Sequence, residues 1–206
     1  MIAGKLNVRK GSLPYDYILS NPKFIYDSLY SLLVDNCDIE TYVKSTFLNI
    51  SSKGACASTE NYYDDPNGKS LINSKSHIIF AHEPASLEDI IPKYVRRFNR
   101  LKDLLSEKDA NITLIYGSPI SKDHIDFTIN GTSIIKDTGF YLNKIAELMQ
   151  GRNKRFRILV FNSYEQIDLN TLHKDVILFN IPSFGHWSNT LDHIVENYRD
   201  IILDTH

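Results

Sequence analysis

The chain has 206 residues, 42% of them apolar and 23% charged, with 23 Lys+Arg against 25 Asp+Glu for a formal charge of −2. A chain of this length is expected to form one domain, and it can bury roughly 70% of its unfolded surface without staples. The balance excludes a disordered or collagen-like chain and lacks the basic excess of a nucleic-acid binder, while apolar runs as short as Ile177-Leu178-Phe179 cannot span a bilayer.

Two cysteines, Cys37 and Cys56, form neither a disulfide framework nor a metal site, because neither has a C-x-x-C partner or a histidine at ligand spacing. No cofactor is expected. The opening Met1-Ile2-Ala3-Gly4-Lys5 has no apolar signal-peptide core, so a cytoplasmic location is the expectation.

In chain order, Pro14 in Ser12-Leu13-Pro14-Tyr15-Asp16-Tyr17 marks a turn. Asn21-Pro22 then reads as a helix cap and first helical position, with Phe24, Ile25, Leu29, Leu32 and Leu33 on one face. Residues 37–76 are weakly patterned and read as an irregular excursion from a single domain over 1–206. Tyr42-Val43 and Phe47-Leu48 fit a short helix or a strand, and Asp64-Asp65-Pro66-Asn67-Gly68 is a turn cluster.

The pattern sharpens at the apolar run His77-Ile78-Ile79-Phe80-Ala81, the first expected buried strand. Ser86 then opens a helix to about Ser106, with Ile90, Ile91, Tyr94, Val95, Phe98, Leu101 and Leu105 on one face. Further strands are expected at 112–116, 157–161 and 176–180, and further helices from about Asp137 to Gln150 and from Trp187 to Leu203. Asn130-Gly131 predicts a hairpin insertion near 126–135, because both residues tolerate positive φ. Strands alternating with helices predict an α/β fold, Rossmann-like, with a parallel-rich sheet covered by helices on both faces. The strands at 77–81, 112–116 and 157–161 are expected to lie parallel in one sheet.

No G-x-G-x-x-G, Walker loop, G-x-S-x-G elbow or H-E-x-x-H is present. The rule that open α/β sheets bind ligands beyond the carboxyl ends of their strands selects His82-Glu83, Tyr116-Gly117-Ser118, Asn162-Ser163 and Ser183 to His186. His82 is the candidate general base, since imidazole titrates near neutrality, with Glu83 or Asp16 to fix its tautomer. Arg97, Ser118, His186 and Trp187 are the candidate substrate-binding residues. Each also has a plainer reading: a locally bonded surface histidine, a solvated Arg96-Arg97 face, Trp187 as a core anchor. In the sharper reading one of the two arginines turns inward to fork onto the carboxylate of Asp16 or Glu83. A small molecule, glycan or peptide is the expected substrate class.

Ser12-Leu13-Pro14-Tyr15-Asp16-Tyr17, then His82-Glu83, then Lys93-Tyr94-Val95-Arg96-Arg97-Phe98 resemble the papain-like cysteine peptidase family of bacteria and large DNA viruses. Its members read S-x-P-F-D-W, H-D or H-E, and K-Y-x-R-R-x-x-R in that order. The resemblance implies thiol-hydrolase chemistry. The family's S-L-G-x-x-C nucleophile segment would align upstream of Met1, so the sequence as written is expected to be inactive by that route. Neither Cys37 nor Cys56 follows a helix-start pattern that would activate it instead. Two alternatives stand beside this reading: a Rossmann-like sugar- or nucleotide-handling transferase, and a non-catalytic binding or host-interaction module.

Overall fold

The computed structural model describes residues 12–15, 21–47, 50–51, 71–73, 78–80, 87–107, 109–117, 128–129, 132–133, 137–150, 152, 155–163, 167–182, 184 and 187–204. The chain divides into two compact units. A helical unit comprises Ser12–Ser106 with Asp126–Thr138, and a sheet unit comprises Met1–Gly11, Glu107–Ile125 and Gly139–His206.

The helical unit begins its helices where the sequence supplies caps. Helix α1 (Pro22–Leu33) starts as expected, with the Asn21 Oδ1 accepting the Phe24 amide at 2.8 Å. It buries Phe24, Ile25, Ser28, Leu29 and Leu32. Val34 is its C-cap, with the Val34 amide donating to the Tyr30 carbonyl, and two residues further on Asn36 takes a left-handed φ of 48°. Helix α2 (Ile39–Phe47) is capped by Asp38, whose Oδ2 accepts the Thr41 amide at 2.8 Å. That bond holds the Asp38 carboxyl below its usual range. Helix α3 (Leu87–Ser106) places Glu88 and Asp89 in its first turn, where carboxylates favour the exposed amide dipoles. It runs through Pro92, which cannot donate to the Glu88 carbonyl. Its buried face carries Ile90, Tyr94, Phe98, Leu101 and Leu105, as the periodicity predicted, and one residue that it did not, Arg97. Helices α2 and α3 pack together.

Three short strands, β1 (Ile50–Ser51), β2 (Leu71–Asn73) and β3 (Ile78–Phe80), form an antiparallel sheet in chain order. This corrects the expectation that the 77–81 run joins a parallel sheet. A short apolar run looks the same in either setting. Between β2 and β3 lie only residues 74–77, enough for a hairpin, whereas a parallel neighbour needs a crossover of about a dozen residues. The expected hairpin is present as β5 (Thr128–Ile129) and β6 (Thr132–Ser133), in a register that leaves a two-residue connection at 130–131.

The sheet unit contains the parallel sheet that makes the fold α/β. Strands β4 (Asn111–Gly117), β7 (Arg155–Asn162) and β8 (Val176–Asn180) lie side by side in chain order. Tyr116 faces Val160, which faces Leu178. The central strand is the most deeply set, with Ile158, Leu159, Val160 and Phe161 all buried, as a strand covered on both faces should be. Helix α4 (Thr138–Met149) lies in the β4 to β7 connection, and the β7 to β8 connection holds a short 3₁₀ turn at Leu169–Thr171. Helix α5 (Trp187–Leu203) packs Ile194 and Ile202 against Leu159, Phe161 and Ile181, with Leu191, Val195 and Tyr198 at the margin. The rings of Phe161, Phe179 and Tyr198 meet pairwise at 5.1–5.2 Å. Arg157 reaches from β7 to close the carboxyl end of α5. It donates to Thr113 Oγ1 at 3.1 Å, to the Ile201 carbonyl at 2.8 Å and also to the Asp204 carbonyl. No described helix is long and apolar enough to cross a membrane.

Candidate functional site

Residues 12–15 and helix α3 are held to one another. Arg100 donates from Nε and Nη2 to the single carbonyl oxygen of Ser12, at 3.0 and 2.7 Å. A guanidinium presents its N–H groups in a rigid fork, so the two bonds fix the turn relative to the helix. Pro14 is buried, and the Tyr15 ring stands edge-on to Phe24 at 6.1 Å and to Phe98 at 6.4 Å. Tyr42 of α2 meets the same Phe98 ring at 5.3 Å.

A phenol set among such rings must find a partner for its hydroxyl. The Tyr15 hydroxyl lies 2.7 Å from Ser28 Oγ, which is fully buried. Ser28 also donates towards the Phe24 and Ile25 carbonyls, each at 2.9 Å. Since the serine proton is engaged there, Tyr15 is the donor in the shared bond. Burial pushes the Tyr15 phenol well above its ordinary value, against a smaller downward pull from Ser28. Burial likewise pushes Tyr42 up to about 12, with bonds to Thr46 and Ser28 opposing it. Both phenols are therefore neutral near pH 7 and act as packing groups with a polar tip.

Arg97 turns inward, only 4% exposed, while its neighbour Arg96 is exposed. Its Cζ sits 4.8 Å from the ring centroid of Tyr94, one helical turn earlier and 1% exposed. One arginine of the pair is thus directed inward, as the sharper sequence reading required. Asp16 and Glu83, the carboxylates expected to receive it, lie outside the described residues, as do His82, Ser118 and His186. Trp187 opens helix α5, and only its backbone is described. Of the seven expected site residues, Arg97 alone has a described side chain.

The carboxyl edge of the parallel sheet carries Gly117, Asn162 and Asn180. Asn162 is buried and its Nδ2 donates to Asn180 Oδ1 at 3.3 Å, while its carbonyl accepts the Ile181 amide at 2.8 Å. Gly117 has open space where a Cβ would stand. The three described strands follow chain order, so no reversal of strand order, the usual position of a ligand crevice, falls between them. Among the described residues no group of three His, Cys, Asp or Glu side chains is placed to hold a metal ion.

Sequence reasoning missed Arg100 and Ser28. Arg100 falls outside the apolar stripe of α3, and the signal that marks it is the last position of the K-Y-x-R-R-x-x-R pattern. Ser28 was hidden because a hydroxyl interrupts the apolar face of α1. Its signal is the tyrosine at position 15, whose hydroxyl needs a partner once the ring is buried.

A helical unit in which two short sequence blocks grip one another, joined in the same chain to a parallel α/β sheet, is what a family comparison must account for. The model of the family described as "Putative papain-like cysteine peptidase (DUF1796)" matches residues 1–129, and the chain belongs to that family. The match takes in α1, α2, α3 and β4, and stops before α4, β7, β8 and α5. Neither the curated proteins nor the solved structures contain a match to the chain.

Proposed function

We propose that the chain carries a hydrolase-type site of its family, built around His82 as general base and Glu83 or Asp16 as the group that fixes its tautomer. Such a site needs a base within hydrogen-bond reach of a nucleophile and a third group holding the imidazole. The nucleophile in this reading is the family cysteine, and neither Cys37 nor Cys56 replaces it. The observation that carries the reading is the Arg100 fork on Ser12, which ties the block that leads into Asp16 to the helix that buries Arg97. Cys37 engages its neighbour, with Sγ 3.6 Å from the Asp38 carbonyl.

The test compares the chain as given with the same chain extended at its amino end by an S-L-G-x-x-C segment. Iodoacetamide labelling at pH 6 singles out activated thiolates. The extended chain should label rapidly at the added cysteine, and His82→Ala should slow that labelling to the rate of an ordinary thiol. In the chain as given both cysteines should label slowly. Rapid labelling of Cys56 in the chain as given, with activity lost in Cys56→Ser, would overturn the reading.

A second reading, a transferase for a sugar or nucleotide, is favoured by the carboxyl ends of β4, β7 and β8, which fall side by side at Gly117, Asn162 and Asn180. It predicts that nucleotide sugars protect the amides at 117, 162 and 180 from hydrogen exchange. Unchanged exchange at those amides at millimolar ligand would count against it.

A further inference from the structure

We draw no further inference here: the strongest candidate, the outward face of helix α1 that carries Tyr26, Tyr30 and Val34 one turn apart with the two tyrosine rings 5.8 Å from each other, carries nothing because nothing in the structure shows what covers it.

Discussion

The helical unit and the sheet unit are held together by different means. In the sheet unit a stretch of four buried residues, Ile158 to Phe161, lies among aliphatic and aromatic neighbours, and Arg157 reaches from the same strand to Thr113 and to the end of a helix. In the helical unit polar groups enter the packing: Ser28 receives a phenol, Arg97 lies against Tyr94, and Arg100 holds the Ser12 carbonyl. The family model covers nearly all of the second kind of structure and little of the first. Apolar burial tolerates many sequences of similar volume, whereas a hydroxyl set opposite a phenol does not.

The largest effect expected is loss of a buried ring from either unit. Phe161 and Phe98 are 1% and 0% exposed. Phe161→Ala and Phe98→Ala should each cost about 3–5 kcal/mol, the usual range for a phenylalanine removed from a core. Urea unfolding followed by far-ultraviolet circular dichroism measures this. A loss below about 1 kcal/mol for Phe98→Ala would show that the ring cluster is not a core.

Ser28→Ala separates the units more sharply. It removes the acceptor of the Tyr15 hydroxyl and leaves that phenol unsatisfied, at a cost of about 1–3 kcal/mol. Tyr15→Phe added to it should restore part of the loss, because both polar groups are then gone. Equal damage in the single and double variants would sink the proposed bond. The same phenols set a pH dependence. Their folded pKa values lie above the ordinary 10.0, with Tyr42 at about 12. A raised phenol pKa means the folded state keeps a proton that the unfolded state releases. The stabilisation is complete below pH 10 and is lost as pH rises from 10 towards 12 for Tyr42. Each such group contributes a slope of about 1.4 kcal/mol per pH unit in that window. Tyr42→Phe should flatten the decline. A stability independent of pH up to 12 would contradict the burial of both phenols.

How much of this was legible follows from which physical signal each feature carries. The start of helix α1 and both bounds of α3 and α5 could be read to within a residue because three- and four-residue spacing, Asn21-Pro22 and the Ser86 start each speak locally. The hairpin at 128–133 could be read from Asn130-Gly131 for the same reason. That β3 belongs to the antiparallel sheet could not be seen from its own residues, since pairing partners are non-local and Ile78-Ile79-Phe80 suits both kinds of sheet. Of the candidate site, the inward turn of Arg97 was legible only as one of two readings of Arg96-Arg97. Arg100 was invisible to periodicity because its partner is a backbone carbonyl 88 residues earlier, and a carbonyl leaves no mark in sequence.

The two carbonyl-binding arginines give a smaller and more direct contrast. Arg100→Ala should cost about 1 kcal/mol, since its bonds are charge-assisted but lie at the surface. Arg157→Ala, which also strips a cation from a helix carboxyl end, should cost somewhat more. Lysine at 100 can make only one of the two bonds and should recover part of the loss. Hydrogen exchange at the amides of Leu13 and Tyr15 should rise in Arg100→Ala and stay unchanged in Arg157→Ala. Exchange that rises equally in both would mean the fork on Ser12 does not hold the turn.

The smallest expected effects come from exposed ion pairs, and they test whether charge on the helix surfaces matters to either unit. Glu40 and Lys44 pair across one turn of α2, and Lys23 and Asp27 across one turn of α1. The acidic residue leads in the first pair and follows in the second. Leading acid agrees with the helix dipole and trailing acid opposes it, so the first pair is the stronger. All four side chains are about half exposed or more, at 48–60%. Water and salt therefore screen them, and double-mutant cycles should give about 0.5 kcal/mol for Glu40–Lys44 and less for Lys23–Asp27. Both values should fall in 1 M salt, where the screening length shrinks to about 3 Å. A Lys23–Asp27 coupling larger than that of Glu40–Lys44, and insensitive to salt, would show that these pairs are held by something other than local helix electrostatics.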